Sequence, residues 1–433
     1  MAIVERPVQP SVPTGADPLA KMSKRQRALL LGGALFGLLI LVRYLANTPD
    51  LTSSGLFNAT VVSTLPIMLA GLGGLWSERT GVVNIGLEGM MILGTWFGAW
   101  AGWHWGPWAG ALGGALGGAM GGLVHAIATV TFGIDHVVSG VAINIIAAGL
   151  ARFLSAYAYR DPNTGGSATQ SPPVTGHIGT FNVPFLSGGH IFGWRSPNIL
   201  GWLELKKIKV VSDVAGPLHG LTSNVNWLTL IAILLVPLTW FILWRTRVGL
   251  RMRSVGEQPM AAESLGVPIY RMKYIGVTVS GLLAGFGGAV LVIESAGIYR
   301  EAQTANRGFI GLAAVIFGNW RPAGVMGASG LFGYADTLRL RSTESPHGLL
   351  LFVAILLSVV FIWMLVRRKP TAAVVTGVLA GVTYLWYFGT DTIPDSIVFF
   401  TPQLVTLLVL SFASQRLRPP AWDGKPYRRG QQL

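Results

Sequence analysis

Residues 77–94 read SERTGVVNIGLEGMMILG. The second half has the character of a membrane helix, yet it carries a carboxylate, Glu88, and a carboxamide, Asn84. An ionisable group in hydrocarbon costs at least ~2.5–3.5 kcal/mol, so one that is kept there has work to do. A helix starting near Gly81 puts Glu88 about 10 Å along it, at ~1.5 Å per residue. Asn84 and Glu88 then share a face at i and i+4, and Thr95 falls on the same face. Gly86 and Gly89 would let the backbone kink or unwind. Polar groups on one face beside glycines describe a pathway-lining or broken helix better than a lipid-facing one. Asn84, Glu88, Met91 and Thr95 are therefore candidate pathway residues. The alternative is a structural Glu88 that bonds the end of a neighbouring helix.

The rest of the chain is oily. Its 433 residues are only 12% charged, and the mean hydropathy is +0.54. These values point to an all-α polytopic transmembrane protein. There is no cysteine, which excludes disulfides, thiolate metal sites and a cysteine nucleophile. The formal charge of +14 comes from 32 Lys+Arg against 18 Asp+Glu. The basic residues cluster beside apolar spans, so they read as topology signals and not as a nucleic-acid surface. No GxxxxGK[ST] loop occurs, so any ATP is hydrolysed by a partner subunit and no cofactor is expected in this chain. No cluster has metal-ligand spacing, and no nucleophile–base pair can be assembled.

A bilayer core of ~30 Å needs roughly 20 apolar residues. Candidate segments run from 28–46 to 396–413 and give roughly 10–12 spans. Two short ones, 308–320 and 323–340, are separated only by NWRPAG and could form a tight hairpin or a re-entrant pair. The expected organisation is a disordered cytoplasmic tail (1–27), a permease domain (28–414) and a second cytoplasmic tail (415–433). Counting crossings from a cytoplasmic N-terminus puts the hydrophilic loop 158–226 outside. It puts 245–273 inside, with Arg245, Arg247, Arg251, Arg253, Arg271 and Lys273.

Within 108–132, Gly110, Gly114, Gly118 and Gly122 form one track at i+4, and Gly113, Gly117 and Gly121 form another. Small residues at this spacing let helix backbones approach, which makes this a central helix. Asp135 reads as the N-cap of the next helix. Asn144, eight residues into that helix, is a further pathway candidate or interhelical glue. His125 reads as a packed side chain and Glu294 as a group near an outer end.

The segment GLRMRSVGEQPMAAESLGV, 249–267, interrupts the membrane pattern. Pro259 suits the first turn of a short helix through Leu265, and Gly266 suits its C-cap. Such a helix lying across the cytoplasmic face can dock in a partner's groove. Arg251, Gly256, Glu257, Pro259, Ala261, Ala262 and Gly266 are the candidate coupling residues.

This segment resembles the coupling loop of ATP-binding cassette (ABC) importer permeases of the ribose and branched-chain amino-acid superfamily. SERTGVVNIGLEGMM, DHVVSGVAIN and GFIGLAAVIFGNWRPAG are similar to the nucleoside-uptake branch, over about Phe57 to Leu340. The resemblance implies a nucleoside permease subunit in the bacterial plasma membrane. It implies pairing with a paralogous permease, a cytoplasmic ABC ATPase and an extracellular substrate-binding lipoprotein. A sugar importer of the same superfamily, or an ion-coupled transporter using Glu88, are the alternatives.

Overall fold

A computed structural model describes residues 23–160, 162–191, 193–206, 208–341, 345–390, 393 and 417–428. The expected tail up to residue 22 and the span 396–413 lie outside these residues. The described chain forms two units. The smaller one contains α1 (Lys24–Leu45), α14 (Ser345–Val366) and α15 (Pro370–Gly389). Ser23 opens α1 with a capping box, accepting from the Gln26 N–H while the Gln26 side chain accepts from the Ser23 N–H.

The larger unit holds the remaining helices. These are α2 (Ser54–Glu78), α3 (Leu87–Trp105), α4 (Pro107–Ala126), α5 (His136–Ala158), α6 (Ile199–Leu205) and α7 (Val211–Thr222). They are followed by α8 (Trp227–Arg245), α9 (Arg247–Glu257), α10 (Pro259–Ser264), α11 (Ile269–Val290), α12 (Arg307–Phe317) and α13 (Pro322–Arg341). Short π-helical turns extend α4 over Ile127–Thr131 and α11 over Leu291–Ala296. Among the described residues, seven helices are long and apolar enough to cross a membrane. At ~1.5 Å per residue, α3 and α13 have the same reach of about 30 Å. Asp135 caps α5 as expected, its carboxylate accepting from Val137 N–H at 2.9 Å and Val138 N–H at 3.0 Å.

The glycine tracks set the centre of this unit. A methyl group on Gly118 would lie 2.2 Å from the Gly281 carbonyl oxygen of α11, and one on Gly122 would lie 2.7 Å from that of Val277. The second track faces α3: Gly113 meets Ala101 and Phe97, and Gly121 meets Met90. Backbones this close gain dispersion where lipid offers no hydrophobic incentive. Gly118→Val is expected to abolish the monodisperse folded protein in detergent, checked by size-exclusion chromatography at matched expression, because its contact is backbone and cannot yield.

The hydrophilic segment 158–226 is a small folded cap and not a plain loop. It contains α6, α7 and two antiparallel ribbons, Thr180–Phe181 with Val225–Asn226 and His190–Ile191 with Trp194–Arg195. Helix α7 lies on the start of α2. Thr52 donates to Asp213 at 2.9 Å, and Asn58 donates to the Ser223 carbonyl at 3.0 Å. Gly256, at the end of α9, packs against Arg79 at the other end of α2. The cap and the α9–α10 segment thus occupy opposite ends of a 25-residue helix, about 37 Å apart along its axis. With no native cysteine, Ser167→Cys is expected to react with an impermeant thiol reagent from outside intact cells. Ala261→Cys is expected to react only after permeabilisation, and the reverse labelling overturns the orientation.

Candidate functional site

Helix α2 ends at Glu78 and α3 begins at Leu87, so Asn84 lies in a non-helical linker and not on the helix that carries Glu88. The expected shared face of Asn84 and Glu88 is corrected accordingly. A helix start at Gly81 is prevented by that residue's φ of +78° and by the exits that the linker backbone finds elsewhere.

Side chains from several helices satisfy this linker. Asn84 accepts from Gly86 N–H at 3.0 Å and donates to Ser280 Oγ of α11 at 2.9 Å. Asn144 of α5 spans the junction, accepting from Gly89 N–H at 2.7 Å and donating to the Ile85 carbonyl at 3.1 Å. His125 Nε2 lies 3.2 Å from the Val83 carbonyl, so it carries the proton, and its Nδ1 accepts from Ser139 at 2.9 Å. Val83 N–H donates to His136 Nδ1 at 3.4 Å, and Lys273 donates to the Gly81 carbonyl at 3.4 Å. Irregular backbone inside a membrane protein survives only where protein groups replace water in this way. Lys273, read from the sequence as one of the loop charges, is buried in the first turns of α11.

Glu88 sits in the first turn of α3, and only 6% of it is exposed. One carboxylate oxygen accepts from Asn306 N–H at 3.1 Å and the other from Gly308 N–H at 2.7 Å. These are leading amides of α12, where a helix has unsatisfied donors and the positive end of its dipole. Asn306, the N-cap, offers no capping bond of its own. Glu88 thus serves as a cap supplied from more than 200 positions away.

Helix α12 is a half-length element. Residues 297–301 are tied to the cap: Val174 N–H donates to the Gly297 carbonyl at 2.8 Å, and Glu301 N–H to the Thr169 carbonyl at 2.9 Å. The chain then descends unwound, with positive φ at Ala302, Ala305 and Asn306, a conformation that alanine ordinarily avoids and asparagine tolerates. Gly311 reaches the middle of α2 at Ile67 and Gly71, and the Trp320 indole donates to Glu78 at the end of α2. Arg307 of α12 pairs with Asp336 of α13 at 2.6 Å, both largely buried. Asn306 and Phe309 are exposed beside the capped amides. Met91 and Thr95 face inward. Met91 packs with Ala70 and Leu291, and Thr95 bonds its own helix at the Ile92 carbonyl.

At the α9–α10 end, Pro259 opens α10, and Gly266 adopts φ +76° just past its end. Gly266 N–H donates to the Glu263 carbonyl at 2.8 Å and Val267 N–H to that of Ala262 at 3.0 Å. This is the Schellman closure that the glycine permits. Arg251, Glu257, Ala261 and Gly266 face outward, whereas Gly256, Pro259 and Ala262 are buried. Ala262, expected at the contact with a partner, is thus packed within this chain, while Glu257, Ala261 and Gly266 are presented outward. Leu265, used in the sequence reading only to mark the helix end, is 85% exposed. Only its position beside the C-cap could have signalled it.

Arg79 joins the two regions. It donates to the Trp320 carbonyl at 2.6 Å, lies 3.8 Å from Glu257 and stacks over Trp244 with its Cζ 5.2 Å from the ring centre. Burial holds its guanidinium pKa below the usual value. A methyl group on Gly256 would fall 2.4 Å from the Arg79 carbonyl, so the α9–α10 segment touches the linker backbone directly.

The family described as branched-chain amino acid transport system, permease component, matches residues 56–366. The guanosine ABC transporter permease protein NupQ of Bacillus subtilis is 36% identical over 297 residues, covering 66% of this chain and 82% of that protein. The nucleoside ABC transporter permease protein NupC of Lactococcus lactis is 32% identical, covering 67% and 83%. A putative glucose ABC transporter permease, TsgC13 of Haloferax volcanii, is 33% identical, covering 67% and 78%. No solved structure matches the chain.

Proposed function

We propose, because the chain belongs to the branched-chain amino acid transport system permease family, that it is the membrane subunit of an ATP-driven nucleoside importer. It is a multi-pass protein of the cell membrane. In this reading, a paralogous permease completes the translocation route, an ABC ATPase docks on α9–α10, and an extracellular binding lipoprotein delivers nucleoside at the cap. The guanosine and nucleoside permeases among its relatives support the substrate class.

One observation carries the mechanism. The α9–α10 segment rests on the α2–α3 linker through Gly256, Arg79 and Glu257, and the helix after that linker presents Glu88 to the head of α12. Movement of α9–α10 therefore reaches the amides of a half-helix through a short chain of close-packed groups. Coupling needs such an element with two arrangements, and the unwound lead-in 302–306 can supply the second. Asn84, Glu88 and Asn144 hold this break in place. Met91 and Thr95 pack behind it. The surface that meets solute is the exposed head of α12, where Asn306 can bond a ribose hydroxyl or base edge and Phe309 can stack on a base.

Vesicles containing the complete importer are expected to accumulate labelled nucleoside only with both ATP and binding protein. Uptake of glucose without nucleoside would favour the sugar reading that the Haloferax relative raises. Uptake driven by a proton gradient alone would overturn the ATP-driven assignment. Phe309→Ala is expected to raise the KM for nucleoside about tenfold with little change in turnover, as ~1.4 kcal/mol of lost stacking implies. Equal KM values would remove Phe309 from the route.

A further inference from the structure

Residues 417–428 lie beyond the stretch that the permease family covers, which ends at 366. They nevertheless run across one end of the larger unit, to which they belong, and touch α9, α10, α11, the α2–α3 linker and the α12–α13 turn. Arg418 N–H donates to Asn319 Oδ1 at 2.9 Å, in the turn between α12 and α13. Trp422 N–H donates to the Gly256 carbonyl at 2.9 Å, and Ala421 N–H to Glu257 at 3.2 Å. The Trp422 carbonyl also roofs Gly81, and Gly424 lies against Val83 of the linker. Tyr427 is buried, packs edge-on to Tyr270 with ring centres 5.8 Å apart, and donates to Glu263. Asp423 enters the pocket of Glu78, Lys273 and Arg79, where burial pushes its carboxyl up to about 7.

These contacts are not those of a solvated tail. The proline-rich run Pro419–Pro420 and the turn at Gly424, with φ +75°, let a short chain follow the surface without regular structure. Its bonds meet α9 at Gly256 and Glu257, α10 at Glu263 and the α12–α13 turn at Asn319, and it packs against the linker at Gly81 and Val83. Those are the parts through which movement of α9–α10 would have to pass.

We propose that residues 417–428 form a strap that positions α9–α10 on the α2–α3 linker, so that motion of the coupling helix reaches the bundle only while the strap is seated. The proposal rests on the importer reading for its transport consequence, but the seat itself does not. Trp422, Asp423 and Tyr427 act as positioning residues. They leave Leu265 and Ala261 open on the outer side of the same segment.

The test uses the full chain with its ATPase and binding-protein partners in vesicles. Variants are a stop after Pro419, Tyr427→Ala and the conservative Tyr427→Phe, each with and without Val83→Cys as the sole cysteine. Val83→Cys is expected to be alkylated about tenfold faster in the stopped chain, the ratio that a few lost contacts produce. Nucleoside moved per ATP hydrolysed is expected to fall severalfold in the same chain, with the ATPase still co-purifying. Tyr427→Phe, which keeps the ring against Tyr270, is expected to lie between wild type and Tyr427→Ala in both measurements. If the stopped chain does not fold, Tyr427→Ala carries the comparison. Equal alkylation with and without the strap overturns the seat. Faster alkylation with unchanged coupling overturns the positioning role. Absence of ATP-dependent uptake in the unaltered importer overturns the importer reading instead, and Val83→Cys reactivity still reports the seat.

Discussion

Glu88→Leu is expected to lower ATP-dependent nucleoside uptake by at least about tenfold at equal protein in the membrane. The side chain removed is the acceptor for two amides at the head of α12, the part-buried one of Asn306 and the buried one of Gly308. Each amide left without a partner costs about 1–3 kcal/mol, and α12 also loses the negative charge at its positive end. The head of α12 then either unwinds further or shifts toward another acceptor, and the exposed Asn306 and Phe309 move with it. Glu88→Gln distinguishes a cap from a simple hydrogen-bonding group. A role confined to one bond would keep much of the uptake, as the sequence alone suggests. The two-oxygen geometry leaves the amide nitrogen of Gln facing an N–H, so an intermediate loss is expected. Uptake by the Gln variant should still follow ATP and ignore a proton gradient. Wild-type uptake in Glu88→Leu vesicles would show that the carboxylate holds nothing the route needs.

What could be read in the sequence was local or periodic. The glycine tracks of α4 show in their i+4 spacing, and the Asp135 cap, the Pro259 start and the Gly266 stop are each set by neighbours within a few residues. Eleven expected spans coincide with described helices, but only seven of these are long and apolar enough on their own to cross a membrane, so length and apolarity located the helices better than they counted the crossings. The break between Glu78 and Leu87 was harder to locate. The sequence showed that a polar pair and two glycines need an explanation, but the exits for the linker backbone come from His125, His136, Asn144 and Lys273. Each of these is distant in sequence from the linker, and nothing local to it names them as its partners. The same holds for Glu88, whose partners lie on α12, and for Arg79, which looks like an ordinary loop charge until Trp320, Glu257 and Trp244 surround it. Burial inside α10 was misjudged because six residues are too few for a hydrophobic period to choose a face.

That last point decides which substitution tests docking. Ala262→Arg, the change that the sequence suggests, would drive a guanidinium into a site that is 2% exposed among Met252, Val255 and Ile269 of the same core. Its failure would report a broken segment and say nothing about a partner. Leu265→Asp is the informative variant. An apolar side chain held 85% exposed at the tip of a capped helix has little to do within this chain. Its backbone is fixed by the Gly266 and Val267 bonds, so the change leaves α10 folded. If Leu265 is the anchor that enters the ATPase groove, replacing it by a carboxylate costs ~2 kcal/mol or more and weakens association at least about thirtyfold. Stimulated ATP hydrolysis and uptake are then expected to fall together, while nucleoside-loaded binding protein still associates at the cap. Arg251→Ala, also outward-facing but charged and flexible, is expected to change association much less, as rim charges do. Full co-purification and coupled transport by Leu265→Asp would take the docking surface off α10, and the linker contacts of Gly256 and Glu257 would then need another source of motion.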